Sequence, residues 1–396
     1  MRVYADNAAT TAMSETALRV MTDALHTVYG NPSSLHTIGQ EAAEVLQKAR
    51  EDVAEVLGAD PKEIYFTSGG SESDNQAIVS AAKIGEKKGK KHIISTQFEH
   101  HAVLHTLQRL EKEGFAVTYL DVHEDGLISA DEVKAALRED TALVTIMFAN
   151  NEVGTIEPIA EIGKVCKEAK VLFHTDAVQA AGHLHINVKE MDIDMLSLSG
   201  HKFHGPKGVG ALYVRKGIRL TNLIEGGAQE RGVRAGTENI PGILAMAAAL
   251  KESNANIDQN MAYVTKLRDK LIDGILKIPH AKINGSLTSR LPGNVNAVFE
   301  GIEGESLLLL LDDQGVEASS GSACTSGSLD PSHVLLSLGL PHEVAHGSLR
   351  LSLSEYNTEE EVDHILDVLP GIVSYLRDIS PVWDELQRGE KEYVIK

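Results

Sequence analysis

The sequence predicts an α/β protein built on a mostly parallel β-sheet with helices on both faces. Three observations carry this. Short apolar runs bounded by turn residues recur through the first half of the chain, most of them separated by stretches of helical periodicity. Strands alternating with helices favour crossover connections, and hence parallel neighbours buried on both faces. The composition, 42% apolar and 24% charged, is that of a chain able to bury a large core, and no internal repeat points to a solenoid or propeller.

Ser14-Glu15 opens an amphipathic stretch in which Ala17, Val20, Met21, Ala24, Leu25 and Val28 recur at helical spacing. Val45, Leu46, Ala49, Val53, Val56 and Leu57 form a second, closed by Gly58. The expected strands follow at 64–67, 92–96, 116–121, 142–149, 171–175, 195–199 and 210–214. Between them, Glu86-Lys87-Lys88-Gly89-Lys90-Lys91 reads as a solvated connector. A long helical stretch around 239–276 interrupts the alternation. Beyond it, strand patterns at 295–299 and 349–353 and a helical pattern at 359–376 suggest a smaller α+β unit. The boundary falls near residue 255: residues 13–255 form the large domain, and 1–12 with 256–396 form the small one. The tail 381–396, with Trp383 and mixed charge, reads as ordinary packing, a fraying end or a partner contact.

Charge narrows the function. With 37 basic and 57 acidic side chains the net charge is 37 − 57 = −20. Contact with phosphate backbones or anionic lipid needs clustered lysine and arginine, so no direct nucleic-acid partner and no membrane is expected. Residues 1–11 place Asp6 where a signal peptide needs an apolar core, and no apolar run approaches the roughly 18 residues of a membrane span. Two cysteines cannot frame a disulfide scaffold or a four-cysteine zinc site, and they suit a reducing compartment, so the cytoplasm is expected. The 17 histidines are scattered without metal-binding spacing, and no metal site is expected.

In such folds ligands sit at the carboxyl ends of the strands. Ser68-Gly69-Gly70-Ser71-Glu72 lies between a strand and a helix, where free backbone N–H groups and a positive dipole end meet an anion. It has neither the glycine spacing of a dinucleotide fingerprint nor the Lys-Ser/Thr of a nucleotide P-loop, so the guest is a smaller phosphate. Read alone, it is also an ordinary strand-to-helix turn. Asp176 ends one strand and Ser199-Gly200-His201-Lys202 ends the next. A desolvated lysine there can attack a carbonyl, and a neighbouring carboxylate can keep a pyridinium nitrogen protonated, which together describe pyridoxal phosphate (PLP) chemistry. Separately, Asp176 also reads as a helix cap and Lys202 as a surface lysine. His100 and His101 follow a strand end, where one of them can stack on a cofactor ring and move protons.

Cys324 sits in Ser319-Ser320-Gly321-Ser322-Ala323-Cys324-Thr325-Ser326-Gly327, whose small polar composition predicts a flexible, reachable thiol. Cys166 follows Ile159 and Ile162 at helical spacing and is expected in the core. Arg350 lies in an alternating strand, as a clamp for a substrate carboxylate or as an ordinary surface arginine.

The combination resembles the PLP-dependent cysteine desulfurases of the NifS/IscS-like group, within the class-V aminotransferases. The carrying segments are Ala5-Asp6-Asn7-Ala8-Ala9-Thr10-Thr11, Gly30-Asn31-Pro32-Ser33-Ser34, Thr67-Ser68-Gly69-Gly70-Ser71-Glu72-Ser73-Asp74-Asn75, Glu99-His100, Asn150-Asn151-Glu152-Val153-Gly154, Asp176-Ala177-Val178-Gln179, Ser199-Gly200-His201-Lys202-Phe203-His204-Gly205-Pro206-Lys207-Gly208, Arg234-Ala235-Gly236-Thr237-Glu238-Asn239 and 319–327. The likeness is nearly full length and weakest beyond about residue 380. Gly70-Ser71 stands where many relatives have threonine second, and the hydroxyl is kept.

The resemblance implies a fold-type I PLP-dependent transferase: a large domain with a seven-stranded sheet, a smaller α+β domain and a homodimer with active sites at the subunit interface. It implies Lys202 as the residue bound to the cofactor, Asp176 at the ring nitrogen, Gln179 at the ring hydroxyl and His100 stacked on the ring. Gly70, Ser71, Ser199 and His201 would hold the phosphate, with Thr237 joining from the other subunit. Asn151 would touch cofactor and substrate, and Arg350 the substrate. L-cysteine would become alanine, its sulfur left as a persulfide on Cys324 for an iron–sulfur scaffold protein or another acceptor. The alternatives are a selenocysteine lyase or another class-V aminotransferase.

Overall fold

The computed structural model describes residues 1–320 and 331–395, so Cys324 lies outside the described residues. A short strand β1 (Val3–Tyr4) leads into helices α1 (Glu15–Thr27) and α2 (Thr37–Leu57). The Ser14 side chain accepts from the Ala17 amide and starts α1, while Gly58 ends α2 in the left-handed conformation (φ 68°) that glycine adopts without penalty. An alternation follows: β2 (Ile64–Thr67), α3 (Gly70–Glu86), β3 (His92–Thr96), α4 (His101–Lys112), β4 (Ala116–Leu120), α5 (Ala130–Ala136), β5 (Thr141–Thr145), α6 (Ile159–Ala169) and β6 (Leu172–Asp176). Strands β7 (Met195–Ser199) and β8 (Gly210–Val214) complete it.

These strands form one seven-stranded sheet in the order β2-β8-β7-β6-β5-β3-β4. Every neighbouring pair is parallel except the two that β8 makes. Side chains alternate between two buried cores: Ile93, Leu143, Met195 and Leu212 face one, and their chain neighbours Ile94, Val144, Leu196 and Tyr213 face the other. The carboxyl ends of β2, β3, β6 and β7 therefore open on one edge, where Ser68, His100, Asp176 and Lys202 were expected.

The chain continues through a short helix α7 (Gln229–Gly232), α8 (Ile240–Ala255), α9 (Ile257–Ile275), β9 (Ala281–Ile283), β10 (Asn294–Phe299), α10 (Gly304–Asp313) and β11 (Val316–Glu317). After the undescribed residues come α11 (His333–Ser337), α12 (His342–His346), β12 (Ser348–Ser352), α13 (Glu359–Asp378) and α14 (Pro381–Gln387). Strands β12-β10-β9 form an antiparallel sheet, and β1 pairs with β11. A third core gathers Val3, Leu271, Phe299, Val316, Leu349 and Ile365. Val334, Leu335 and Val344 of α11 and α12 join the large-sheet core instead.

Two expectations change in detail, and the open reading of the tail is narrowed to packing. The single helical stretch at 239–276 is two helices, because Asn256 adopts φ −108°, ψ 7° and its side-chain amide donates to the Glu252 carbonyl, competing with the helix ladder. The apolar run 142–149 forms a ladder only to Thr145. Thereafter the Ile146 and Phe148 amides donate to the His174 and Asp176 carbonyls, which carries Asn151 alongside the end of β6. The tail is helical at α14, and Trp383 packs beside the His280 ring and under the Arg377 guanidinium.

One buried ion pair ties the sheet edge to the segment carrying Thr237. Arg50 of α2 and Glu230 of α7 bond in parallel at 2.8 and 2.7 Å, and Glu230 also accepts the Phe66 amide of β2. Glu230 and Arg231 hold left-handed φ angles of 45° and 58°, a conformation that costs energy away from glycine and persists because the pair fixes it. Glu230→Ala leaves the Arg50 cation buried and unpaired. The expected loss is about 3–5 kcal/mol, read as a lower urea midpoint.

Candidate active site

A cavity of about 340 Å³ opens at the carboxyl edge of the large sheet. Its walls include Gly70, Ser71, His100, Asn151, Asp176, Gln179, Ser199, His201, Lys202 and Arg350. The sequence reading thus named most of one surface. Lys202 follows β7 in a single 3-10 turn, Gly200–Lys202, and its Nζ lies 2.6 and 2.8 Å from the carbonyl oxygens of Ala8 and Ala9. The N-terminal segment thereby closes one side of the cavity, and Gln179 Nε2 donates to the same Ala8 carbonyl at 2.9 Å.

Asp176 is the last residue of β6, and its Oδ1 accepts the Val178 amide at 2.9 Å. Burial raises its pKa above the ordinary carboxylate range, while the Val178 amide and the Lys202 ammonium pull it back. Across the cavity, Gly70 and Ser71 open α3. Gly69 ahead of them has φ 153° and no side chain with which to cap the helix, so the first amides are left to an anionic guest. A Cβ on Gly70 would come within 2.6 Å of Val178 Cγ2, so this turn has room only for backbone.

His100 caps α4, its Nδ1 accepting the Ala102 amide at 3.1 Å, which assigns the proton of the neutral ring to Nε2. Burial, with the Lys202 charge, lowers its pKa to about 4, so it is neutral at pH 7. His201 is lowered to about 4 by burial and by Lys202 and Lys207, and its Nδ1 lies 3.1 Å from Thr10 Oγ1. At the far wall Arg350 is 2% exposed, not a surface strand residue. Its Nη2 donates to Asp6 Oδ1 at 2.8 Å and its Nη1 to the Asn151 carbonyl at 3.1 Å, while Nε is buried with no partner among the described residues. This is a fixed cation with donor capacity left for a carboxylate.

One candidate, Thr237, lines a different hollow with Ser68, Arg234 and Glu238, and one, Cys324, lies outside the described residues. Conversely, the cavity uses Ala8, Ala9, Asp74, Met147 and Val178, to which no role had been assigned. Asp74 carried a legible signal: it shares the buried face of α3 with Ala77, Ile78 and Ala81, where an acid is out of place. Cys166 is buried as expected, and burial pushes its thiol up to about 12. No three metal-ligating side chains cluster among the described residues, and no helix of these residues is long and apolar enough to cross a membrane.

The donor set tests what group belongs here. A helix start with unclaimed amides asks for a phosphate, a buried carboxylate at a strand end asks for a cationic nitrogen, and a lysine amine shares the cavity with both. PLP carries a phosphate, a ring nitrogen and an aldehyde, and it fits all three. Fold and donor set define a PLP-dependent enzyme of fold-type I.

Comparison with known proteins narrows this class. The aminotransferase class-V family model matches residues 3–365. The chain is 55% identical to the cysteine desulfurase IscS of Methanosarcina thermophila over 96% of this chain and 94% of that one. It is 53% identical to the cysteine desulfurase IscS of Clostridium botulinum (strain Hall) over 99% of both. A solved NifS-like protein superposes with a TM-score of 0.89 at 42% identity, covering 95% of this chain and all of that one. The chain belongs to the class-V aminotransferases and, within them, to the NifS/IscS-like cysteine desulfurases. It is a PLP-dependent enzyme of that group.

Proposed function

We propose that the residues around this cavity carry out the conversion of L-cysteine to L-alanine, with the sulfur held as a persulfide on Cys324. The observation that carries the proposal is the convergence of Lys202, Asp176, the Gly70-Ser71 turn and Arg350 on one cavity. PLP, when bound, supplies an electron sink for bonds at the substrate's α- and β-carbons. Lys202 would provide the amine that holds it and is placed to move a proton at the substrate's α-carbon. Asp176 would hold the ring nitrogen, Gln179 the ring hydroxyl, and Gly70, Ser71, Ser199 and His201 the phosphate. His100, neutral and carrying its proton on Nε2, would lie against the ring and is placed to exchange that proton with substrate. Asn151 and Arg350 hold the substrate carboxylate. The Cys324 thiolate attacks the substrate sulfur: an S–S bond forms, the Cβ–S bond breaks, and its electron pair ends, protonated, as the methyl group of alanine.

Holoenzyme given L-cysteine and a thiol reductant is expected to release alanine and sulfide in equal amounts. 3-Mercaptopyruvate, with no sulfide released, would instead indicate amino transfer, and strict dependence on selenocysteine a lyase. Arg350→Lys keeps the charge but loses the planar fork. It is expected to lower kcat/KM for cysteine at least about tenfold, mainly through KM, with the cofactor's absorbance unchanged.

The same proposal includes a homodimer. Leu18, Leu25, Tyr29, Leu35 and Ile38, on α1, the start of α2 and the link between them, expose apolar surface, Leu35 to 96%. Thr237, which is not on the wall of its own subunit's cavity, would complete the partner's phosphate site. Residues 13–255, and 1–12 with 256–396, are the proposed domains. A cytoplasmic location and an iron–sulfur scaffold protein as sulfur acceptor complete the reading.

A further inference from the structure

Below the cavity lies a charge arrangement that the reaction as described does not use. Asp74, on α3, is 1% exposed and lines the same cavity as Asp176. Its Oδ1 is buried with no hydrogen-bond donor among the described residues. Its nearest potential counter-ion is His174 of β6, whose Nε2 is 3.6 Å away. His174 is itself enclosed, with Nδ1 2.8 Å from Thr145 Oγ1 and Nε2 3.0 Å from Ser197 Oγ. His174 and Asp176 stand two apart on one strand, so both point toward α3.

A carboxylate anion is strongly disfavoured where one oxygen is sealed from the cavity without a donor and no cation stands beside it, because the desolvation cost exceeds what one serine hydroxyl returns. A protonated carboxyl is not, since its carbonyl oxygen costs little to leave unpaired. We propose that Asp74 is a positioning residue for Asp176: a neutral, proton-bearing acid that buttresses the ring-nitrogen carboxylate without competing with it as a second anion.

Every charged group facing Asp74 agrees with this. From β6, burial lowers His174 to about 3, so it offers no positive charge. Asp176, on the same strand, and Glu99, ahead of α4, repel a second negative charge, and burial itself raises the Asp74 carboxyl well above its ordinary value, with only the Ser197 hydroxyl of β7 opposing. Glu99 is raised to about 8 by its own burial and is neutral as well at pH 7. The cavity's cations are Lys202 and Arg350; Lys202 acts on Asp176, and Arg350 is engaged by Asp6 at the far wall. The floor thus carries one negative charge, on the residue that meets the cofactor.

The inference rests on the assignment of Asp176 to the ring nitrogen, and the test separates the two. Holoenzymes of Asp74→Asn, Asp74→Val and Asp176→Asn are compared by cofactor dissociation constant and by the pH midpoint of the bound cofactor's absorbance change. Asp74→Asn keeps shape and neutrality, so midpoint and affinity are expected to match the wild type. Asp74→Val removes the polar buttress and is expected to weaken cofactor retention about tenfold and to displace the midpoint, readouts that loss of fold stability alone would not move. A downward shift of more than about one pH unit in Asp74→Asn would show that a buried negative charge had been removed, and would overturn the proposal. An Asp74→Val midpoint equal to the wild type would also overturn it. Silence in Asp176→Asn would instead remove the assignment on which it rests.

Discussion

Lys202→Ala is expected to abolish sulfide release, lowering turnover by about 10⁴-fold or more, and to eliminate the near-visible absorbance of lysine-bound cofactor. The position of the amine makes the effect large. Lys202 Nζ is held by two backbone carbonyls of the N-terminal segment, at 2.6 and 2.8 Å, in the cavity that holds Asp176 and the start of α3. A neighbouring amine cannot substitute, because Lys207, the next lysine in the chain, is absent from the cavity wall. Lys202→Arg keeps a cation near Ala8 and Ala9 but cannot lose its proton to attack a carbonyl. It is expected to bind PLP without the lysine-linked spectrum and to be as inactive as Lys202→Ala. Substantial turnover in either variant would move the cofactor's attachment to another residue.

Much of this site was legible because its chemistry falls at strand ends. A strand of buried apolar residues terminated by a single acid, as at Asp176, or by a glycine and a lysine, as at Gly200 and Lys202, breaks the pattern so sharply that one sequence suffices to find it. Arg350 was visible as a residue but not as a buried one. Its burial depends on Asp6, 344 positions away, closing over it with the N-terminal segment, and no local pattern reports a contact at that separation. Asp74 was passed over for the opposite reason. It lies on a helix that also carries Glu72, Asn75 and a buried Gln76, so its place on the face of Ala77, Ile78 and Ala81 did not stand out from the other polar residues around it. The break at Asn256 was missed because apolar spacing continues across it, while a side-chain amide competing for one carbonyl leaves no periodic trace.

The two cysteines allow a sharper experiment than the lysine does. Cys324→Ala is expected to lower sulfide release from cysteine by about 10³-fold or more while leaving PLP content and the spectral response to added cysteine as in the wild type. Lysine and cysteine variants would then fail at different stages, the first without tethered cofactor and the second with cofactor and substrate both in place. Cys166 cannot take over, since it is 1% exposed on α6 and burial holds its thiol near 12, far from a thiolate at neutral pH. Cys166→Ala is expected to cost only about 1 kcal/mol of stability, as a small core truncation, and to retain full turnover. Together the variants predict that a single equivalent of thiol reagent, reacting with native holoenzyme, stops sulfide release without displacing PLP. Turnover surviving in Cys324→Ala would mean that sulfur leaves the substrate without a protein thiol, which would return this chain to the lyase alternative.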